Sequence, residues 1–202
     1  MLGIWDYGDR LSQLFQDDLK NSVLQEPDGL FPVNESGKKV YNGLTLSSGG
    51  TNGAFGAGFL AGWSEHGSRP EFKVITGIST GALIATFALL GSEYDTTLEH
   101  MYTTMTTKKV LSFRGPIRAL MHESLADSKP MARQIEVLID EEILGKIAIE
   151  HNRGQRLLIG TTHLDDGRFM VWNMGAIASS GHPNALDPFR KVRILLPRPS
   201  SW

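Results

Sequence analysis

Hydrophobic and polar residues follow two patterns along this chain: short apolar runs, and longer stretches in which apolar residues recur at helical spacing. The apolar runs predict four strands, which lie at 41–46, 72–78, 155–162 and 169–172. The helical spacing predicts helices at about 11–23, 54–66, 82–90, 95–106, 130–139, 141–151 and 189–192, with a short helix or turn at 175–180. Because strands and helices alternate, we predict an α/β fold, a three-layer α/β/α domain with a mainly parallel sheet.

Two regions stand apart from this alternation. Residues 1–40 are predicted to form an N-terminal helical appendage, and 41–202 the main domain. Residues 108–128 are less regular and carry scattered apolar side chains such as Phe113 and Met121. Two interpretations of 108–128 remain open: a lid over an acyl pocket, or a satellite of the hydrophobic core.

The composition narrows the classes of function. With 202 residues, of which 41% are hydrophobic, the chain is long enough to bury one core. A net charge of −2 with scattered basic residues gives no electrostatic case for binding nucleic acid. The absence of cysteine excludes disulfides and thiolate catalysis, and the six histidines lack metal-ligand spacing. We therefore expect neither a metal ion nor a cofactor.

No targeting or membrane-spanning segment is predicted. No run reaches the 18 apolar residues of a membrane span, and the N-terminus lacks the pattern of a signal peptide. A mature exported protein whose leader has been removed remains compatible with the sequence.

The strongest chemical signal is a Gly-x-Ser-x-Gly sequence at 77–81, between a predicted strand and a predicted helix. A strand that turns this sharply into a helix crowds the residues beside the serine, so Gly77 and Gly81 leave room where a Cβ would clash. The hydroxyl is then presented at the strand tip, near the positive end of the helix. The pattern predicts that Ser79 is a nucleophile.

A second glycine-rich segment, 47–53, has the same position between a strand and a helix. Such loops expose backbone N–H groups and can hold an oxyanion. A dinucleotide site is disfavoured because Ser48 stands where Gly-x-Gly-x-x-Gly needs its first glycine. A Walker phosphate loop is disfavoured because no Gly-Lys-Ser/Thr occurs. Together the two segments indicate a serine hydrolase.

These segments resemble the signature of the patatin-like phospholipases. Residues 46–60 (LSSGGTNGAFGAGFL) are similar to the glycine-rich loop of that family, Gly-Gly-x-Arg/Lys-Gly. Residues 75–83 (ITGISTGAL) are similar to its Gly-x-Ser-x-Gly turn, and the resemblance spans roughly 41–190.

The resemblance implies roles for particular residues. Ser79 would be the nucleophile, and the amides of Gly49, Gly50 and Thr51 would form the oxyanion hole. The reaction implied is lipolytic acyl-ester hydrolysis of glycerolipids or short-chain esters, with transient contact with a membrane or micelle surface and no nucleic acid. Asn52 departs from the pattern, since it occupies the usual Arg/Lys position.

Ser79 also needs a base that activates its hydroxyl. The family uses an aspartate without histidine, in a distant Asp-Gly-Gly/Ala motif, and this sequence shows no convincing copy of it. Asp166-Gly167 is the literal Asp-Gly match, so Asp166 is one candidate for the base; alternatively, 165–167 forms the hairpin turn between two strands. The unusual final ten residues lead us to expect truncation before the third motif, or a shifted reading frame.

Two other classes remain open. In the α/β-hydrolase order of Ser, Asp and His, Asp165 or Asp166 followed by His182 would complete a triad. Only one predicted strand precedes Thr76, however, which is too few for that fold. If no catalytic aspartate is present, the chain is instead an inactive hydrolase-like domain that binds lipid or a partner protein.

Overall fold

The computed structural model of the chain describes residues 4–10, 12–47, 49–109, 135–163 and 166–192. Of Thr51 and of 104–109 it describes the backbone alone. The predictions made for 110–128, which include most of the lid region, and for the final ten residues lie outside the described residues, as does Asp165.

The described strands form one mixed sheet. They are β1 (Trp5–Tyr7), β2 (Asn42–Leu46), β3 (Phe72–Ile78), β4 (Arg156–Thr162) and β5 (Phe169–Asn173). Their order across the sheet is β1-β5-β4-β3-β2. Strands β2, β3 and β4 run parallel, whereas β5 is antiparallel to both β4 and β1. The carboxyl ends of β2 and β3, where the two glycine-rich segments begin, therefore meet at the same edge.

Helices surround this sheet. They are α1 (Gln13–Leu24), α2 (Gly53–Glu65), α3 (Thr80–Leu90), α4 (Asp95–Lys109), α5 (Glu141–Asn152), α6 (Met174–Ala178) and α7 (Leu186–Lys191). Short 3₁₀ turns at Gly50–Asn52 and Ser92–Tyr94 precede α2 and α4. The arrangement confirms the predicted α/β fold class. No helix in the described part of the chain is long and apolar enough to cross a membrane.

Helix α3 lies in the middle of the core. Strand side chains alternate between the two faces of a sheet, so Ile75 and Gly77 of β3 share a face with their β4 partners Leu157 and Ile159. The three apolar side chains in this set are fully buried, and α3, which packs against β3 and β4, is buried from Gly81 to Leu89. A helix that is apolar on all sides requires such a position.

Strand β1 was not predicted from the sequence, because three residues are too few to show a hydrophobic period. In the structure β1 pairs with β5, from Trp5 opposite Trp172 to Tyr7 opposite Met170. Residues on both sides of the proposed boundary at residue 40 therefore share one sheet. The boundary itself stays a prediction.

Two buried basic side chains also attach the N-terminal region to the sheet. Lys73 of β3 donates to the carbonyl oxygen of Ser22 at 3.0 Å and forms an ion pair with Glu26. Arg156 of β4 forms an ion pair with Asp18 of α1 at 2.6 Å. Removing one partner would leave a buried charge uncompensated, at a cost of about 3–5 kcal/mol. These contacts hold the N-terminal region in place on the core.

Candidate active site

Ser79 occupies the junction between β3, which ends at Ile78, and α3, which begins at Thr80. Its backbone has φ 55° and ψ −124°, and it is the only residue other than glycine with a positive φ in the described part of the chain. Its half-buried side chain makes no capping hydrogen bond to α3, although Ser79 is the N-cap residue. The hydroxyl is therefore available for other chemistry at the positive end of the helix.

The glycines on either side of Ser79 have no room for a side chain. A Cβ on Gly77 would collide with the backbone of Gly81 and would come within 2.8 Å of the Ala82 Cα atom. A Cβ on Gly81 would collide with the carbonyl oxygen of Leu46 and lie 2.7 Å from that of Ser47. The first turn of α3 is thus packed directly against the end of β2, where the glycine-rich loop starts.

That loop is fixed beside the serine by a hydrogen bond between the two segments. The Gly49 amide donates to the Thr80 hydroxyl at 3.1 Å, and the Asn52 amide donates to the Gly49 carbonyl oxygen at 2.9 Å. Gly50 has a positive φ of 53°, a conformation that glycine adopts without strain. The amides of Gly50 and Thr51 make no hydrogen bond to another element of the described structure.

Tyr102 of α4, which lies in the helix predicted at 95–106, contacts both segments. A Cβ on Gly53, the first residue of α2, would lie 2.6 Å from its hydroxyl oxygen. The hydroxyl also lies 3.5 Å from the Thr80 carbonyl oxygen, at the limit of a hydrogen bond. Burial raises the pKa of Tyr102 to about 12, so the side chain is neutral at physiological pH. The contact is tertiary and leaves no local signal in the sequence.

Asp166 lies in the connection between β4 and β5, whose antiparallel pairing confirms the predicted hairpin. Its carboxylate accepts hydrogen bonds from His163 Nδ1 at 2.7 Å, the Arg168 amide at 3.0 Å and the Tyr7 hydroxyl at 3.1 Å. The Arg168 amide is the main cause that lowers the pKa of the Asp166 carboxyl. The structure shows no hydrogen bond between Asp166 and Ser79.

The alternative triad partner, His182, lies in the exposed connection between α6 and α7. Its Nδ1 accepts a hydrogen bond from the Asn184 amide at 3.1 Å, and the described contacts join Asp166 to His163 instead. Within the described ranges, no group of three or more His, Asp or Glu side chains is placed to hold a metal ion.

The fold is an α/β fold with a mixed sheet, and its serine lies in a strained turn between a strand and a helix, with a glycine-rich loop packed beside it. This combination defines a hydrolase-like class of protein. The family model described as Patatin-like phospholipase matches residues 44–191, about three quarters of the chain. The chain therefore belongs to the patatin-like phospholipase family, whose members are lipolytic acyl hydrolases that act on lipid substrates. No curated protein and no solved structure matches the chain in the corresponding comparisons.

Proposed function

We propose that this protein is a serine carboxylic-ester hydrolase of the esterase or phospholipase A type, acting in lipid degradation with Ser79 as its nucleophile. The observation that carries the proposal is the backbone of Ser79, whose positive φ is enforced by the packing of Gly77 and Gly81. Strain of this kind, about 1–3 kcal/mol for a residue other than glycine, is typical of functional sites.

In the proposed reaction the Ser79 oxygen attacks the carbonyl carbon of the ester while its proton passes to a base. The resulting oxyanion accepts hydrogen bonds from the amides of Gly50 and Thr51, and the α3 N-terminus adds a favourable field. Collapse of this intermediate expels the alcohol, and water then hydrolyses the acyl-enzyme. Gly49, whose amide already binds Thr80, holds the loop in position.

Two experiments test the nucleophile. We expect a fluorophosphonate probe to label the wild type and the Ser36→Ala control, in which an exposed loop serine is removed, but not Ser79→Ala. We also expect Ser79→Ala to lose turnover of p-nitrophenyl butyrate by several orders of magnitude, because the covalent intermediate no longer forms. An unchanged circular dichroism spectrum would show that the variant is folded. Equal turnover by Ser79→Ala and the wild type would exclude Ser79 from the mechanism.

The contacts of Asp166 favour one second candidate function, an inactive hydrolase-like domain that binds lipid or a partner protein. The carboxylate of Asp166, the candidate base, accepts hydrogen bonds from His163, Tyr7 and the Arg168 amide, and the structure shows none from Ser79. If this candidate is correct, the folded wild type will neither react with the fluorophosphonate nor hydrolyse the ester. Labelling of Ser79 would exclude it, since labelling requires an activated serine.

A further inference from the structure

The exposed face of α2 carries an aromatic row that the reaction at Ser79 does not use. Phe55 and Phe59 are 79% and 56% exposed, and their rings stack with centroids 6.3 Å apart. The row continues through Trp63, 5.5 Å from Phe59, to the buried Phe72, 5.8 Å further on. Two large apolar rings are thus held in water by a chain of contacts that ends in the core.

This face is directed away from the protein. The opposite side of α2 packs against α3 and α4, and its inward residues Gly53, Ala57 and Leu60 are buried. Phe55 and Phe59, one helical turn apart, therefore project outward from the same side. Gly58 and Gly62, also on the outer side, have open space where a side chain would be. The rings are the most prominent groups on this surface.

The surface is uncharged and adjoins the candidate site. No charged residue occurs between Val40 and Ser64, although 21% of the residues in the chain are charged. Helix α2 begins directly after the Gly50–Asn52 turn, so Phe55 lies within one turn of the proposed oxyanion loop. A ligand that covers Phe55 is thereby brought next to the place where the ester would react.

We propose that Phe55 and Phe59, with Trp63 behind them, form a docking surface for a lipid layer. This inference rests on the proposed lipolytic function, because it locates the surface from which the substrate would be taken. Protein interfaces need about one hydrogen bond per 100–200 Å². From Gly53 to Trp63 the only polar side-chain group is the Trp63 indole N–H. A lipid layer needs no such bonds, and helices that lie in a lipid interface carry Trp, Phe or Leu on the face that they bury.

The test is co-sedimentation of the full chain with phosphatidylcholine vesicles. We expect the variant Phe55→Gln/Phe59→Gln to bind at least about tenfold more weakly than the wild type, because it loses two apolar side chains from the surface. Glutamine is used because it suits a helix and adds no charge beside the oxyanion loop. The matched control is Leu24→Gln, which removes a side chain 84% exposed at the end of α1 and should bind as the wild type does.

Three results would overturn the inference. One is equal vesicle binding by the double variant and the wild type; another is an equal loss in Leu24→Gln. The third is a wild type that sediments as a dimer without vesicles while the double variant is monomeric, which would identify the surface as an interface between two copies. Binding should also be the same at low and high salt, since the surface carries no charge.

Turnover of p-nitrophenyl butyrate, a soluble ester, separates this inference from the proposed function. We expect the double variant to keep that turnover while losing hydrolysis of vesicle phospholipid. If the wild type binds vesicles through Phe55 and Phe59 but hydrolyses neither substrate, the proposed function fails and the docking surface stands.

Discussion

The backbone of Ser79 is held in a conformation that serine rarely adopts, and its side chain makes no capping hydrogen bond to α3. A glycine at this position would relieve the strain, and a serine in an ordinary conformation would be free to cap α3. The glycines on either side allow this turn because there is no space for a Cβ at either position. Gly77 lies against the backbone of Gly81 and Ala82, and Gly81 lies against the end of β2. The strain costs stability at one residue, and in the proposed mechanism it places the Ser79 hydroxyl where a nucleophile is needed.

A substitution of Asp166 tests whether this hairpin residue takes part in catalysis. We expect Asp166→Asn to leave the kcat for p-nitrophenyl butyrate within about twofold, because three donors already hold the carboxylate and lower its pKa. A general base would lose about 10²–10⁴-fold on the same change. The measurement is steady-state kinetics of the two purified proteins. A collapse of kcat in the folded variant would make Asp166 the base.

The sequence placed Ser79 between a strand and a helix because that signal is local: two glycines, an apolar run before them and a helical pattern after them. Among the partners of Asp166, the Arg168 amide and His163 are local to the hairpin turn, but Tyr7 was not predictable in the same way. Tyr7 reaches the hairpin across 159 positions of the chain, through a strand too short to be recognised. Contacts between distant elements leave no trace in spacing or periodicity.

At the scale of elements, the contact between the start of α3 and the end of β2 positions the candidate site. We expect Gly81→Ala to destabilise the protein by about 1–3 kcal/mol, because the new Cβ meets backbone carbonyl oxygens that cannot move aside. Esterase activity should fall as well, since any relief displaces α3 from the glycine-rich loop. Urea unfolding and ester turnover measure the two effects.

Gly145 provides the matched control for that experiment. It lies inside α5, with nothing within 4 Å of the place where a Cβ would be. Gly145→Ala should therefore stabilise the protein by about 0.5–1 kcal/mol, the usual gain in a helix interior. If Gly81→Ala proved as stable as the wild type, the close packing of α3 on β2 would not constrain the site.

For the molecule as a whole, the alternation of strands and helices was enough to predict an α/β fold. Each buried strand or helix shows its own spacing of hydrophobic residues in the sequence. The sequence did not show how the N-terminal region joins the sheet. Part of that attachment is made by Arg156, which is 1% exposed and contacts Asp18, Gln25 and the carbonyl oxygen of His151. The residues of this cluster come from three separate elements and the chain beside them, so only the folded chain brings them together.

The same cluster predicts how the stability of the molecule depends on pH. Burial, with a further contribution from the Arg156 charge, lowers the pKa of His151 from 6.5 to about 4, and its Nδ1 has no hydrogen-bond partner among the residues that the structure describes. Between these two values the unfolded chain binds a proton that the folded chain does not, so stability is full above pH 6.5 and falls as the pH drops towards 4. The loss should be on the order of 3 kcal/mol, since each pKa unit corresponds to about 1.4 kcal/mol.

We expect His151→Leu, which cannot be protonated, to lack this part of the pH dependence. Urea unfolding of both proteins at several values between pH 7 and 4.5 measures it, because other titrating groups cancel in the difference. Parallel stability curves for the two proteins would show that His151 is protonated equally in the folded and unfolded states.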